Sequence, residues 1–104
     1  MSEMDYVLNW SDRAIANLNA IENYIANDSP FQAKKVVNEI LDYAENLITF
    51  PLMGSIVLEL YGTKLRQLIK YSYRIIYSFE ENVITIIAVL HGKQDVVAQF
   101  RRNY

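Results

Sequence analysis

One arginine stands inside an apolar strand pattern in this chain. It lies in Tyr73-Arg74-Ile75-Ile76-Tyr77, which a short polar break separates from the apolar run Val83 to Leu90 and the terminal His91-Gly92-Lys93. Burying a guanidinium where another valine would fit is costly unless the group is paired or faces a groove. Arg74 therefore either grips an anion presented to the sheet or pairs internally, with Glu59 or the C-terminus. His91 is the sole histidine, and it has two readings: a strand-end imidazole bonded to backbone, or a base for proton transfer. One histidine makes no metal site, and the absence of cysteine excludes a thiolate site, a cysteine nucleophile and a disulfide framework. Arg66, Lys93, Arg101 and Arg102 add positive charge on the same side of the sequence.

That charge is unevenly spread. Residues 1–61 carry Arg13, Lys34 and Lys35 against nine acids, a net of −6, while residues 62–104 carry seven bases against Glu80, Glu81 and Asp95, a net of +4. The basic part suits an anionic partner or neutralises the acidic part across the fold. An isoelectric point near 5.3 argues against broad nucleic-acid binding, which needs many phosphates neutralised.

The elements that must hold these residues are legible from punctuation and period. With 104 residues, 52% of them hydrophobic, one domain with one core is expected. The N-terminus is acidic and lacks the layout of a signal peptide, and the longest apolar run falls far short of the ~20 residues that cross a bilayer, so a cytoplasmic protein is expected. Tyr6 to Trp10 reads as a first strand, and Ser11 caps a helix whose stripe of Ala14, Leu18, Ile21 and Ile25 runs to about Ala26. Ser29-Pro30-Phe31-Gln32 has the signature of a capping box with proline at the first helical position. Its stripe extends through Ile48 until Pro51 forbids continuation. Period-two patterning then predicts strands over Ile56 to Tyr61, Leu65 to Tyr71, Tyr73 to Phe79 and Val83 to Leu90, the last covered on both faces because it lacks polar alternation. A short helix over about Gln94 to Arg101 closes the chain. The expected fold class is α+β: an N-terminal strand and an antiparallel helical hairpin packed on an antiparallel meander.

This order of elements, with Trp10-Ser11, Ala14 and Leu18, Tyr24-Ile25, Ser29-Pro30 and Ala33, Leu47 with Phe50-Pro51 and Gly54, Arg66 with Leu68, the Tyr73 to Tyr77 motif, and Ala88-Val89 with His91-Gly92-Lys93 at the joints, resembles the RelE/ParE superfamily of toxins from type II toxin-antitoxin modules. The likeness spans nearly the whole chain and is nearest the ParE-like, plasmid-stabilisation branch. Ser55 departs from it, standing where ParE-like members usually carry arginine.

The resemblance implies a growth-inhibiting toxin without cofactor or metal, neutralised by a cognate antitoxin that wraps it. ParE-like members poison DNA gyrase by binding, whereas RelE-like members cut mRNA in the ribosome. Metal-independent RNA cleavage needs a base, phosphate-holding cations and an acid for the leaving oxygen. Under that alternative the catalytic set is Arg66, Arg74 and His91. Two polar groups expected of the nucleases are missing: Gln94 follows the Gly-Lys turn where arginine is usual, and Phe100 stands where a tyrosine is usual. The gyrase reading is therefore the main expectation, with Arg66, Arg74, His91, Lys93, Arg101 and Arg102 as contacts to target or antitoxin. A third reading is a family member that binds antitoxin and DNA jointly. Homodimers and toxin-antitoxin hetero-oligomers are both compatible with the chain.

Overall fold

Both helices begin where their caps place them. A computed structural model describes residues 6–101 of the chain. After β1 (Val7–Trp10), α1 (Asp12–Ala26) starts at Ser11, whose hydroxyl accepts from the Ala14 N–H at 3.0 Å and donates to the Ile87 carbonyl at 2.9 Å. Helix α2 (Pro30–Glu45) starts at Ser29, which accepts from the Gln32 N–H at 3.1 Å. It stops earlier than its apolar stripe suggests. Asn46–Ile48 tighten into a 3-10 turn, where the Asn46 carbonyl accepts from both Thr49 and Phe50. Leu47 is still buried by this turn, while Ile48 is left exposed.

The strands are β2 (Ser55–Ile56), β3 (Arg66–Lys70), β4 (Tyr73–Glu80) and β5 (Val83–His91), followed by α3 (Val96–Arg101). They form one sheet of order β1-β5-β4-β3-β2, with β1 parallel to β5 and the other pairings antiparallel. Against one face the helical hairpin packs Ala14, Leu18, Val36, Ile40, Ala44 and Leu47, which meet Leu68, Ile75, Tyr77, Ile84, Ile86 and Val89. The opposite face carries a second core, Val57, Ile76, Ala88 and Leu90, closed by Val96 and Phe100 of α3. Strand β5 lies inside the sheet and is covered on both faces, as its lack of polar alternation predicts. A register shift sets Tyr77 against Ile86 and Ile76 against Ala88, leaving Ile87 as an extra residue. This bulge moves the following side chains to the other face. The Ser11 hydroxyl takes up the Ile87 carbonyl and the Asn17 side chain the Val89 N–H, at 2.9 Å each, so α1 satisfies the backbone of β5 beyond the end of β1.

Of the expected strand from Ile56 to Tyr61 only Ile56 is paired, at the end of the two-residue β2. Val57 and Leu60 both enter the second core, and residues three apart in a strand point to opposite faces. A turn resolves the conflict: the Leu60 N–H returns to the Val57 carbonyl at 3.1 Å, and Thr63 closes on the Leu60 carbonyl through both its N–H and its hydroxyl. Helix α3 starts two residues later than expected because Asp95 caps it, accepting from Ala98 at 3.1 Å, while the Gln94 side chain accepts from the His91 N–H instead. No helix among the described residues is long and apolar enough to cross a membrane.

Candidate functional site

Register determines where the cations point. Arg74 lies opposite Ile69 and Leu90, and alternation with the helix-facing Ile75 turns it toward the second core. There its guanidinium meets Glu59, from the turn segment 57–65, in a two-pronged pair: Nη1 donates to Oε1 at 3.1 Å and Nη2 to Oε2 at 2.6 Å, and Nη1 also donates to the Gln67 side chain at 3.0 Å. The internal pairing with Glu59, one of the two sequence readings, is therefore present, and it has an electrostatic signature. The Arg74 hydrogen bonds hold the Glu59 carboxyl down at about 2, from an ordinary 4.5. Because a depressed carboxyl stabilises the fold above its unfolded value, this contribution is complete above about pH 4.5 and vanishes as pH falls toward 2. Solvent reaches the pair, so it is worth less than about 1 kcal/mol. Melting temperatures of wild type and Glu59→Gln should differ by a few degrees at pH 6 and converge near pH 2 (a constant offset would contradict the pairing).

Arg66 is set on the other face, the one where Lys70 of the same strand lies over the Tyr43 ring of α2. It does not reach Arg74. Its Nη1 donates to the Gly54 carbonyl at 2.5 Å and the Leu52 carbonyl at 3.3 Å. Beside it, the buried Tyr77 hydroxyl donates to the Pro51 carbonyl at 2.8 Å and accepts from the Gly54 N–H at 3.0 Å. Desolvation holds the Tyr77 phenol above its usual range, so it stays a neutral donor. Arg66 and Tyr77 together brace the turn 51–54 against the sheet.

His91 ends β5. Its Nδ1 accepts from the Lys93 N–H at 3.1 Å, and its ring stands edge-on to Tyr73 with centroids 5.6 Å apart. The backbone reading of this histidine is thus realised, and a neutral ring making that bond carries its proton on Nε2. Through Tyr77 and Tyr73, Arg66 is level with Ile86 and Lys70 with His91. Arg66 and His91 are thus offset by four residues along the strand direction, ~13 Å, and by two strand spacings, ~10 Å, across the sheet. The structure brings Arg74, His91 and Lys93 together around one cavity of 310 Å³. Arg101, exposed at the end of α3, borders a separate cavity of 610 Å³ floored by Leu60, Leu65, Phe79, Val97 and Phe100. Arg102 lies outside the described residues. Among the described residues no group of three or more histidines and acids gathers as a metal site.

Two contacts escape sequence reasoning. Gln67 completes the shell around Arg74, two residues along β3 from its register partner. Arg13 of α1 reaches around the sheet edge, donates to the Gln99 carbonyl at 2.9 Å and sets its guanidinium 4.8 Å from the centre of the Phe100 ring. Arg13 and Gln99 are 86 positions apart in sequence, so no local signal announces that contact.

Comparison with known proteins places this geometry in context. The family model described as the ParE toxin of the type II toxin-antitoxin system, parDE, matches residues 8–96. Among solved structures the chain is similar to one from the chromosomal ParDE TA system of P. aeruginosa, with a TM-score of 0.72 and 21% identity, covering 86% of this chain and 98% of that one. At that identity the likeness speaks to the fold. No curated protein matches the chain.

Proposed function

The chain belongs to the ParE toxin family of type II toxin-antitoxin systems, and from that premise we propose that its single domain arrests growth in the cytoplasm by binding DNA gyrase, not by cutting RNA, until a cognate antitoxin neutralises it. The observation that carries the choice is the separation of Arg66 from Arg74 and His91, which share one cavity, and the prior engagement of each group. Arg66 and Arg74 are on opposite sheet faces, the first bonded to backbone carbonyls and the second to Glu59, and Nδ1 of His91 is engaged by Lys93. In-line cleavage requires a base, a cation and an acid within about 3 Å of one phosphate. Binding a protein has no such requirement: it can use exposed apolar side chains with charges around them. Leu58, Tyr61, Leu52 and Phe50 are such side chains.

The test is supercoiling by purified gyrase with the toxin added in increasing amounts. Inhibition is expected at stoichiometric toxin, relieved by the antitoxin, with translated message left intact. Unimpeded supercoiling together with codon-phased message cleavage would replace this reading with the ribosome-dependent endoribonuclease.

A further inference from the structure

Arg74 sits on a sheet face that offers it no charge of its own. Ile69 and Leu90 flank it across the neighbouring strands, and Gln67 supplies an amide. The balancing acid comes from outside the sheet. Glu59 belongs to a turn segment anchored in the second core by Val57 and Leu60, and its own neighbours Leu58 and Tyr61 are 82% and 97% exposed. The two members of the pair differ in access: the Arg74 side chain is 17% exposed, that of Glu59 43%. The cation is built into a central strand, whereas the anion stands on a turn segment with more access to solvent. Open space adjoins the guanidinium on two sides, a cavity of 480 Å³ bordered by Ser55, Ile56 and Leu58, and the 310 Å³ cavity shared with His91 and Lys93.

We propose that Glu59 occupies, in the free protein, an anion site that a carboxylate side chain of the antitoxin takes in the complex, so that the Arg74–Glu59 pair is an internal competitor which the partner displaces. The inference rests on the reading that the chain has a cognate antitoxin, and adds where and how that partner engages it. Exchanging one carboxylate for another on the same guanidinium fork leaves the charge pairing nearly unchanged. The partner's remaining contacts then decide the balance, and the surroundings supply them: Leu58, Ile56 and Ile69 for apolar side chains and Lys93 for a second acid. A short segment carrying an aspartate or glutamate between apolar residues fits this chemistry. A nucleic-acid strand fits it less well, because Ile56, Leu58 and Ile69 make the approaches to the guanidinium largely apolar.

The experiment measures affinity by calorimetry between the full chain and its separately purified cognate antitoxin. Glu59→Gln keeps the shape and removes the charge, so the site loses its competitor and affinity should rise about tenfold. Arg74→Gln should lower affinity at least about tenfold, and adding Glu59→Gln to it should then change nothing. Because both side chains reach solvent, the variants are expected to fold, which thermal melts check; Glu59→Ala repeats the first arm without an amide. Affinity equal to or below wild type in both Glu59 variants overturns the proposal. So does a gain confined to a 20-nucleotide single-stranded RNA probe, which would assign the site to phosphate. If wild type and antitoxin form no complex, the antitoxin reading itself fails, and the proposal with it.

Discussion

Gly54→Ala is expected to lower stability by about 3 kcal/mol and the melting temperature by roughly 15 °C. A Cβ on this residue would lie 2.6 Å from the Gln67 carbonyl, 2.7 Å from the Tyr77 hydroxyl and 2.8 Å from the Tyr77 ring. None of these can easily retreat. The first is backbone in β3, and Tyr77 is fully buried with its hydroxyl held by both the Pro51 carbonyl and the Gly54 N–H. Relieving the clash means moving the turn 51–54 off the sheet, which also costs the Arg66 bond to the Gly54 carbonyl and leaves a buried hydroxyl without its partners. Urea denaturation measures the loss, and a midpoint close to wild type would show that the turn is not braced as described. Gly92 makes a useful contrast, since a Cβ there meets only the Ser72 carbonyl, at 3.2 Å.

Phe100→Ala should cost about 3 kcal/mol as well, but with a different distribution. Phe100 is 5% exposed and closes the second core, while Arg13 lies over its ring. A helix of six residues has too few hydrogen bonds to persist without packing, so removing the ring should release α3 as a unit. Native-state amide exchange is expected to lose protection over residues 96–101 while Ile84 and Ile86, packed under the helical hairpin, keep theirs. Uniform loss of protection in both regions would mean that the two cores unfold together. Release of α3 should also loosen the segment that presents Glu59, because Val57 and Leu60 pack in the same cluster.

The parts of the fold legible in sequence are those whose cause lies within a few residues. Ser11 and the Ser29-Pro30 pair announced both helix starts because a cap is a local hydrogen bond, and the structure shows those bonds. The short polar break before Val83 is a two-residue turn, Glu81-Asn82, between the paired Glu80 and Val83, with Glu81 at a positive φ of 57°. The faces of β3 also follow the pattern, with Arg66, Leu68 and Lys70 toward the helices. The segment 56–61 misled because its alternation looks like a strand, and only the burial of Val57 and Leu60 in one cluster selects a turn. That cluster includes Val96 and Phe100, distant in sequence.

For the site, sequence singled out Arg74 and named Glu59 as one of its possible partners, but left the pairing open. It did not reveal that Arg66 serves the backbone of the turn 51–54, nor that Arg13 holds α3. A cation's identity is written in the chain, whereas its neighbour depends on which strands lie adjacent and how many residues separate them in register. The extra residue at Ile87 illustrates this: the composition of β5 required two covered faces, yet only pairing with β4 decided which side chains go to which. Local propensity and periodicity thus determined most of the elements, and the particular residues at their joints carried the family likeness. The closure of β1 onto β5, the bulge and the docking of α3 decided which charges meet, because those contacts join residues far apart along the chain and form only when the sheet is assembled.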